Sequence, residues 1–273
     1  MSIGAGVQRA VDRVVDRRRP EGLLEDPDGY ALHVVRPAVP SDAPLVVAET
    51  GLGGTAQDWD PVARLVGDAA AVWAVDRPGL GWSDLRPDGD GGVDGALVRI
   101  ETLRAAAGVD GPVVLAGWSM GGLLAVGAAL RRPDLVAGLV LVDPSHPDEA
   151  RRFADPSLHP AGRVAFMTAG RLSSLGGAAA VGVPGRQYLL RTGTRLGRTV
   201  RPDTVTFATA RSGRAIFDEL ARFGARCDEV AALRAELPVP DVPCIVLTAV
   251  DRPRSERPEV WAELHADLAG WFP

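Results

Sequence analysis

The sequence contains no lysine, no asparagine and only two cysteines, Cys227 and Cys244, among its 273 residues. Two cysteines are too few for a disulfide framework, so we predict a cytoplasmic protein in a reducing compartment. No apolar run approaches the roughly 18 residues that a membrane-spanning helix needs, which argues against a membrane protein. The charged N-terminal segment carries no apolar core of a secretory signal, so we expect none.

The charge balance also excludes a class of partner. The thirty basic residues are all arginine, and 35 acidic residues bring the net charge to −5. A chain with this balance has no basic surface for the phosphate backbone of a nucleic acid. We therefore expect a small-molecule substrate, with no nucleic acid and no membrane as partner, and the oligomeric state stays open.

What the sequence does contain is a series of short apolar runs separated by segments of helix length. The runs are 45–48, 71–75, 113–116, 139–142 and 244–248. Continuous apolar runs indicate parallel strands that are buried on both faces, whereas a half-exposed antiparallel sheet would show alternation. The predicted fold class is therefore α/β, with a mostly parallel central sheet and helices on both faces.

Three other segments complete the predicted organisation. Residues 1–20 form a polar, arginine-rich helical lead, and a hairpin follows with its turn at Asp28 and Gly29. The α/β core takes residues 21–144 and 239–273. Residues 145–238 interrupt the alternation of strands and helices, and we predict that they form a helical lid over the carboxyl ends of the strands.

The strongest signal for chemistry lies directly after the run 113–116. Residues 117–122 read Gly-Trp-Ser-Met-Gly-Gly, and a helix of small residues follows them. A serine between two glycines at a strand–helix junction predicts a sharp turn that lifts the Ser119 hydroxyl above the N-terminus of a helix. The context makes this pattern much more specific than the motif alone, and it predicts a nucleophile.

Together with two further motifs, this pattern resembles the α/β-hydrolase fold family. Residues 51–54 read Gly-Leu-Gly-Gly after the first run, and residues 76–84 read Asp-Arg-Pro-Gly-Leu-Gly-Trp-Ser-Asp after the second. The resemblance implies an oxyanion hole made by the backbone amides of Leu52 and Met120. One departure is that Thr50 stands where many members have histidine. The resemblance implies no cofactor and no metal.

The triad acid has two candidates, and the sequence leaves the choice open. Asp143 follows the run 139–142, and Asp251 follows the run 244–248, which is where the family most often places its acid. Both lie at carboxyl ends of predicted strands. The surroundings of Asp251 are rich in arginine, which favours a surface ion pair there and puts Asp143 ahead.

The triad base is where the sequence departs from the family. The resemblance implies a late histidine after a further strand, and no such segment follows the last predicted helix. Of the four histidines, we expect His33 to be structural, His159 to be solvated and His265 to lie on a helix surface. His146, three residues after Asp143, is the one candidate for a substitute base.

Two main hypotheses follow for the function. The first is a hydrolase that cleaves an ester, amide or related small substrate through an acyl-serine, with feeble activity because the late histidine is missing. The alternative is a non-catalytic binding protein or an inactive, truncated remnant. Cofactor-free haloperoxidase chemistry is a third, less favoured reading. We also expect the run 244–248 to form an exposed sheet edge that leaves Trp271 and Phe272 with little to pack against.

Overall fold

The computed structural model describes residues 3–20, 23–38, 42–152, 202–249 and 258–273. Two of the candidate residues from the sequence, His159 and Asp251, lie outside the described residues. So does the central part of the predicted lid, residues 153–201. No helix among the described residues is both long enough and apolar enough to cross a membrane.

The predicted mostly parallel sheet is confirmed. The strands are β1 (Leu24–Glu25), β2 (Ala31–Leu32), β3 (Val34–Val35), β4 (Leu45–Glu49), β5 (Ala71–Val75), β6 (Val113–Trp118), β7 (Val136–Val142) and β8 (Cys244–Leu247). The sheet contains β3 to β8, in the spatial order β3-β5-β4-β6-β7-β8, and only β3 runs antiparallel to its neighbour. A separate antiparallel pair, β1 and β2, forms the predicted hairpin.

Helices cover both faces of the sheet, as the sequence predicted. They are α1 (Ile3–Asp16), α2 (Asp60–Val66), α3 (Gly92–Ala107), α4 (Met120–Arg131), α5 (Glu149–Arg152), α6 (Ala210–Glu236) and α7 (Pro258–Ala269). On one face α3, α4 and α6 share a large apolar core with the strands. On the other face α2 contributes Ala63 to a smaller cluster with Ala48, Ala74 and Ala116. Alternate residues of the strands β4 to β7 therefore enter different cores.

The long helix α6 connects the core with the loops at the carboxyl ends of the strands. The side chain of Thr209 caps it by accepting a hydrogen bond from the Ser212 amide. Its second half packs into the main core through Cys227, Val230 and Leu233. Its first half contacts the loops that follow β4 and β5, as described below. The domain boundaries and the lid stay predictions.

Strand β8 lies at the edge of the described sheet. Alternation along the strand leaves Ile245 and Leu247 57% and 51% exposed. The expectation that the two aromatic residues after α7 lack partners is wrong, however. Phe272 is buried in the main core, and Trp271 packs edge-on against the His146 ring with 5.5 Å between centroids. Packing of these rings anchors α7 to the main core and to the loop after β7.

Candidate active site

Ser119 occupies the sharp turn that the sequence predicted between β6 and α4. Its φ of 53° and ψ of −122° are unusual for a residue other than glycine. Two hydrogen bonds hold the turn, because the Ser119 amide donates to the Val142 carbonyl at 3.2 Å and the Ser119 carbonyl accepts from the Ser145 amide at 2.9 Å. A residue whose backbone is held in this rare conformation at the end of a strand is a candidate functional residue.

Two glycines, one in α4 next to the turn and one in the loop after β4, allow the backbones of these two segments to approach each other closely. A Cβ on Gly121 would collide with the carbonyl oxygens of Glu49 and Thr50, at the end of β4. A Cβ on Gly51 would lie 3.2 Å from the Cβ of Ser119. The loop after β4 is therefore packed directly against Ser119. Leu52 follows Gly51 in that loop, and Met120 is the first residue of α4, so both proposed oxyanion amides belong to segments that adjoin Ser119.

A buried ion pair supports the loop after β4. Arg77 is fully buried, and its Nε and Nη2 donate to the carboxylate oxygens of Glu219 on α6 at 2.6 and 3.0 Å. The same guanidinium donates to the carbonyl oxygens of Thr50 and Gly51 at 2.6 and 2.7 Å. Glu219 also accepts from the Gly53 amide at 2.8 Å. Arg77 and Glu219 thus hold the backbone of this loop from both ends.

Asp76, the first residue of the motif 76–84, has a structural role, because its carboxylate accepts hydrogen bonds from three different segments. One carboxylate oxygen of Asp76 accepts from the Ala56 amide at 2.6 Å. The other accepts from the Trp82 amide at 3.0 Å and from His33 Nδ1 at 2.6 Å. His33 is buried, in agreement with its expected structural role. Asp76 therefore ties its own loop to the hairpin and to the segment after residues 50–54.

Asp143 lies at the end of β7, beside the loop that starts with Pro144 and Ser145. It has a positive φ of 47°. Its amide donates to the Leu247 carbonyl at 2.6 Å, and its Oδ1 accepts from the Ala249 amide at 3.2 Å. These bonds join the ends of β7 and β8. The choice between Asp143 and Asp251 as the triad acid stays open, because Asp251 is outside the described residues.

His146 follows Ser145, whose amide donates to the Ser119 carbonyl, but the ring nitrogens of His146 are engaged elsewhere. Nδ1 accepts from the Asp148 amide at 3.0 Å, and Nε2 donates to Asp267 Oδ2 at 3.1 Å. Burial of the ring lowers the pKa of His146 below its ordinary value. No hydrogen bond joins a histidine nitrogen to the Ser119 hydroxyl in the part of the chain that the structure describes.

The expectation that His265 lies on a helix surface is wrong. Its side chain is buried beneath the loop after β7, with Nε2 2.8 Å from the Pro144 carbonyl and Nδ1 2.9 Å from Thr248 Oγ1. The ring therefore fastens α7 to the ends of β7 and β8. The helix pattern did not reveal this role, because the partners are distant in sequence.

A buried carboxyl group, Glu149, lies at the start of α5. Burial raises its pKa to about 7, although hydrogen bonds from Ser145 and from the His146 backbone partly oppose the shift. Nearby on α6, burial raises the pKa of the Cys227 thiol to about 12. A thiol with this pKa is not a nucleophile at neutral pH.

The structure thus brings Ser119, Leu52, Met120, Asp143 and His146 to the same end of the sheet. Sequence reasoning missed Arg77 and Glu219. Arg77 belongs to a motif that was recognised as a whole, but nothing in the sequence pairs it with a glutamate 142 residues away. An acidic residue on the apolar side of a long amphipathic helix was the one available signal for Glu219.

Comparisons with known proteins agree with this architecture. The alpha/beta hydrolase fold profile matches residues 44–162. The esterase Rv0045c of Mycobacterium tuberculosis is 38% identical over 127 residues, which cover 46% of this chain and 41% of that protein. N-formylmaleamate deformylase of Pseudomonas putida is 34% identical over 133 residues, which cover 49% of this chain and 48% of that enzyme. The chain spans less than half the length of these curated relatives.

Solved structures match over more of the chain than the sequence relatives do. An alpha/beta hydrolase from Sphaerobacter thermophilus superposes with a TM-score of 0.60 and 19% identity, covering 92% of this chain and 89% of that one. At this identity the likeness concerns the fold. The predicted α/β-hydrolase fold is confirmed.

Proposed function

We propose that this chain, a protein of the α/β-hydrolase fold family, is a hydrolase that forms an acyl-serine at Ser119 from an ester, an amide or a related small substrate. The observation that carries the proposal is the strained turn at Ser119 with the loop after β4 packed against it. Two of its curated relatives are named as an esterase and a deformylase, which supports a hydrolytic reaction at a carbonyl carbon.

The proposed reaction has two steps. The Ser119 oxygen attacks the carbonyl carbon and its proton passes to solvent. The bond to the leaving group then breaks, and the leaving group departs with the bonding electron pair and takes up a proton from solvent. The amides of Leu52 and Met120 stabilise the negative charge that develops on the carbonyl oxygen. Water then attacks the acyl-serine, which releases the acid and restores the Ser119 hydroxyl.

The described histidines leave this mechanism without a base. His146 and His265 direct both ring nitrogens to other partners, and His33 is bound to Asp76. Loss of a triad member lowers kcat by about 10⁴ to 10⁶, while the oxyanion hole and binding leave about 10³-fold catalysis over water. We therefore expect slow turnover by the 273-residue chain, with acylation and deacylation both limited by proton transfer.

The test is chemical rescue of the purified 273-residue chain. Hydrolysis of p-nitrophenyl acetate is measured with and without imidazole, and Ser119→Ala provides the imidazole background. We expect imidazole to raise the serine-dependent rate at least tenfold, because it supplies the base that the described histidines do not. Mass spectrometry of quenched samples should find an acetyl group on the peptide that contains Ser119.

Two results would contradict the proposal. Equal rates for the chain and for Ser119→Ala at every imidazole concentration would show that Ser119 is not the nucleophile. Fast turnover without imidazole would contradict the missing base, and His159→Ala and His146→Ala would then identify the histidine responsible.

The engaged histidines favour a second candidate, a binding protein that retains the fold without turnover. A boronic acid distinguishes the two, since it adds reversibly to a nucleophilic serine. Binding of phenylboronic acid that Ser119→Ala does not alter, together with the absence of acylation, would favour the binding protein.

A further inference from the structure

The loop after β4 depends on a residue from a distant helix. Glu219 lies near the middle of α6 and is buried, with 3% of its side chain exposed. One of its carboxylate oxygens, Oε2, accepts from both the Gly53 amide and Arg77 Nη2, and the other accepts from Arg77 Nε. The carboxylate therefore has a full set of donors, two of them charged.

The Arg77–Glu219 pair continues into a buried chain of alternating charge. Arg77 lies 3.5 Å from Glu49, and Glu49 accepts from Arg99 Nε at 2.6 Å. Burial alone would lower the pKa of Arg77, but the carboxylates of Glu219 and Glu49 outweigh it and raise that pKa above its ordinary value. The guanidinium is thus charged in the folded protein, and the direction of its hydrogen bonds is fixed.

Further contacts dock the same helix onto neighbouring loops. A Cβ on Gly53 would lie 3.3 Å from Ile216, one turn before Glu219. The Ser212 hydroxyl donates to the Gly79 carbonyl at 3.3 Å, and Arg226 donates to Asp90 at 2.6 Å. The position of α6 therefore determines where the Glu219 carboxylate stands relative to residues 51–53.

We propose that Glu219 is a positioning residue for the oxyanion loop, residues 50–53, and that it acts together with Arg77. The proposal rests on the proposed function, because the loop matters for catalysis only if Leu52 supplies an oxyanion donor to Ser119. The hydrogen bonds of Glu219 go to Gly53 and Arg77, and none joins it to Ser119 among the described residues. It fixes the Gly53 amide, while Arg77 fixes the carbonyls of Thr50 and Gly51.

Glu219 and Arg77 can position the loop because few loop conformations satisfy the hydrogen bonds of the Gly53 amide, the carboxylate and the guanidinium at the same time. Gly53 has a φ of 65°, and glycine residues on both sides of Leu52 leave the loop little rigidity of its own. Without the carboxylate, the buried Gly53 amide and the guanidinium of Arg77 lose their acceptor, and the loop shifts to satisfy them. A shift of about 1 Å in an oxyanion donor is enough to weaken catalysis severely.

The test compares Glu219→Gln with Glu229→Gln in the 273-residue chain. Glu229 is a matched control, because it lies on the same helix and accepts from a backbone amide, that of Val93, at 3.3 Å, away from Ser119. The first measurement is the imidazole-rescued hydrolysis of p-nitrophenyl acetate. For Glu219→Gln we expect kcat to fall about tenfold to a hundredfold with KM changed less than about threefold, since an oxyanion donor acts in the transition state.

The second measurement does not depend on activity. Hydrogen–deuterium exchange of the peptide that contains residues 50–54 should speed up in Glu219→Gln and stay unchanged in Glu229→Gln. The double variant Arg77→Met with Glu219→Met separates positioning from stability. Removing both buried charges should restore most of the melting temperature lost by Glu219→Gln. The rate should stay low, because methionine at position 219 offers no oxygen acceptor to the Gly53 amide.

The outcomes distinguish this inference from the proposed function. Unchanged exchange at residues 50–54 in Glu219→Gln would overturn the positioning role, and so would a double variant whose rate recovers together with its melting temperature. Faster exchange with no serine-dependent hydrolysis in the wild-type chain would support the role of Glu219 in the loop and refute the acyl-serine function.

Discussion

Glu149 offers a sharp test of the electrostatics beside the candidate site. It opens α5, and its Oε2 is buried without a hydrogen-bond partner among the described residues. Burial raises the pKa of this carboxyl from 4.5 to about 7. Replacing it by glutamine removes the titration and keeps nearly the same shape. We therefore expect Glu149→Gln to change how the stability of the protein depends on pH.

The sign follows from proton binding in the two states. Between pH 4.5 and about 7 the unfolded chain has released the Glu149 proton while the folded chain still holds it. The free energy of unfolding therefore falls as the pH rises through this window, by about 1.4 kcal/mol per pH unit at most. Above about pH 7 the ionised carboxyl destabilises the folded protein by about 3 kcal/mol. Below pH 4.5 the carboxyl is protonated in both states, so it costs no stability.

Urea unfolding, followed by tryptophan fluorescence at several pH values from 4.5 to 8, measures this difference. We expect Glu149→Gln to be more stable than the wild type by about 2 to 3 kcal/mol at pH 8 and to match it within about 0.5 kcal/mol at pH 4.5. Glu236→Gln, at an exposed position of α6, is the control and should follow the wild type throughout. Parallel curves for the wild type and Glu149→Gln would refute the reasoning.

Two further predictions concern the packing and the edge of the sheet. Gly121→Ala places a Cβ against the backbone of β4, so urea unfolding should show that the free energy of unfolding falls by about 3 kcal/mol. The control is Gly224→Ala, whose Cβ meets nothing within 4 Å and should raise the free energy of unfolding by up to about 1 kcal/mol. Equal stability of the two variants would contradict the close approach at Gly121. Replacing Ile245 and Leu247 by threonine and lysine should reduce aggregation, measured by light scattering, with stability changed by less than about 0.5 kcal/mol. A larger loss of stability would show that these side chains are buried.

The contact between Glu219 and the oxyanion loop links the position of α6 to that of the Gly53 amide. The first half of α6 carries Ile216 and Glu219 against Gly53. Any change that moves this half of the helix also moves the acceptor of the Gly53 amide.

Local sequence patterns predicted the elements of this fold well, because each depends on near neighbours. Continuous apolar runs predicted the strands from β4 to β8, and the glycines around Ser119 predicted the sharp turn between β6 and α4. The same patterns misplaced His265 on a surface and left Trp271 without partners. Both residues contact groups more than a hundred positions away, the Pro144 carbonyl and the His146 ring.

The sequence by itself determined the α/β architecture and the position of the candidate nucleophile, since hydrophobic periodicity and glycine spacing act through the local backbone. Only the tertiary structure decided which polar groups meet. It turned the ring nitrogens of His146 towards Asp148 and Asp267, and it placed Glu219 on Arg77 and Gly53. The physical reason is that a buried polar group must find a partner wherever packing brings one, and packing joins segments that are distant in the sequence.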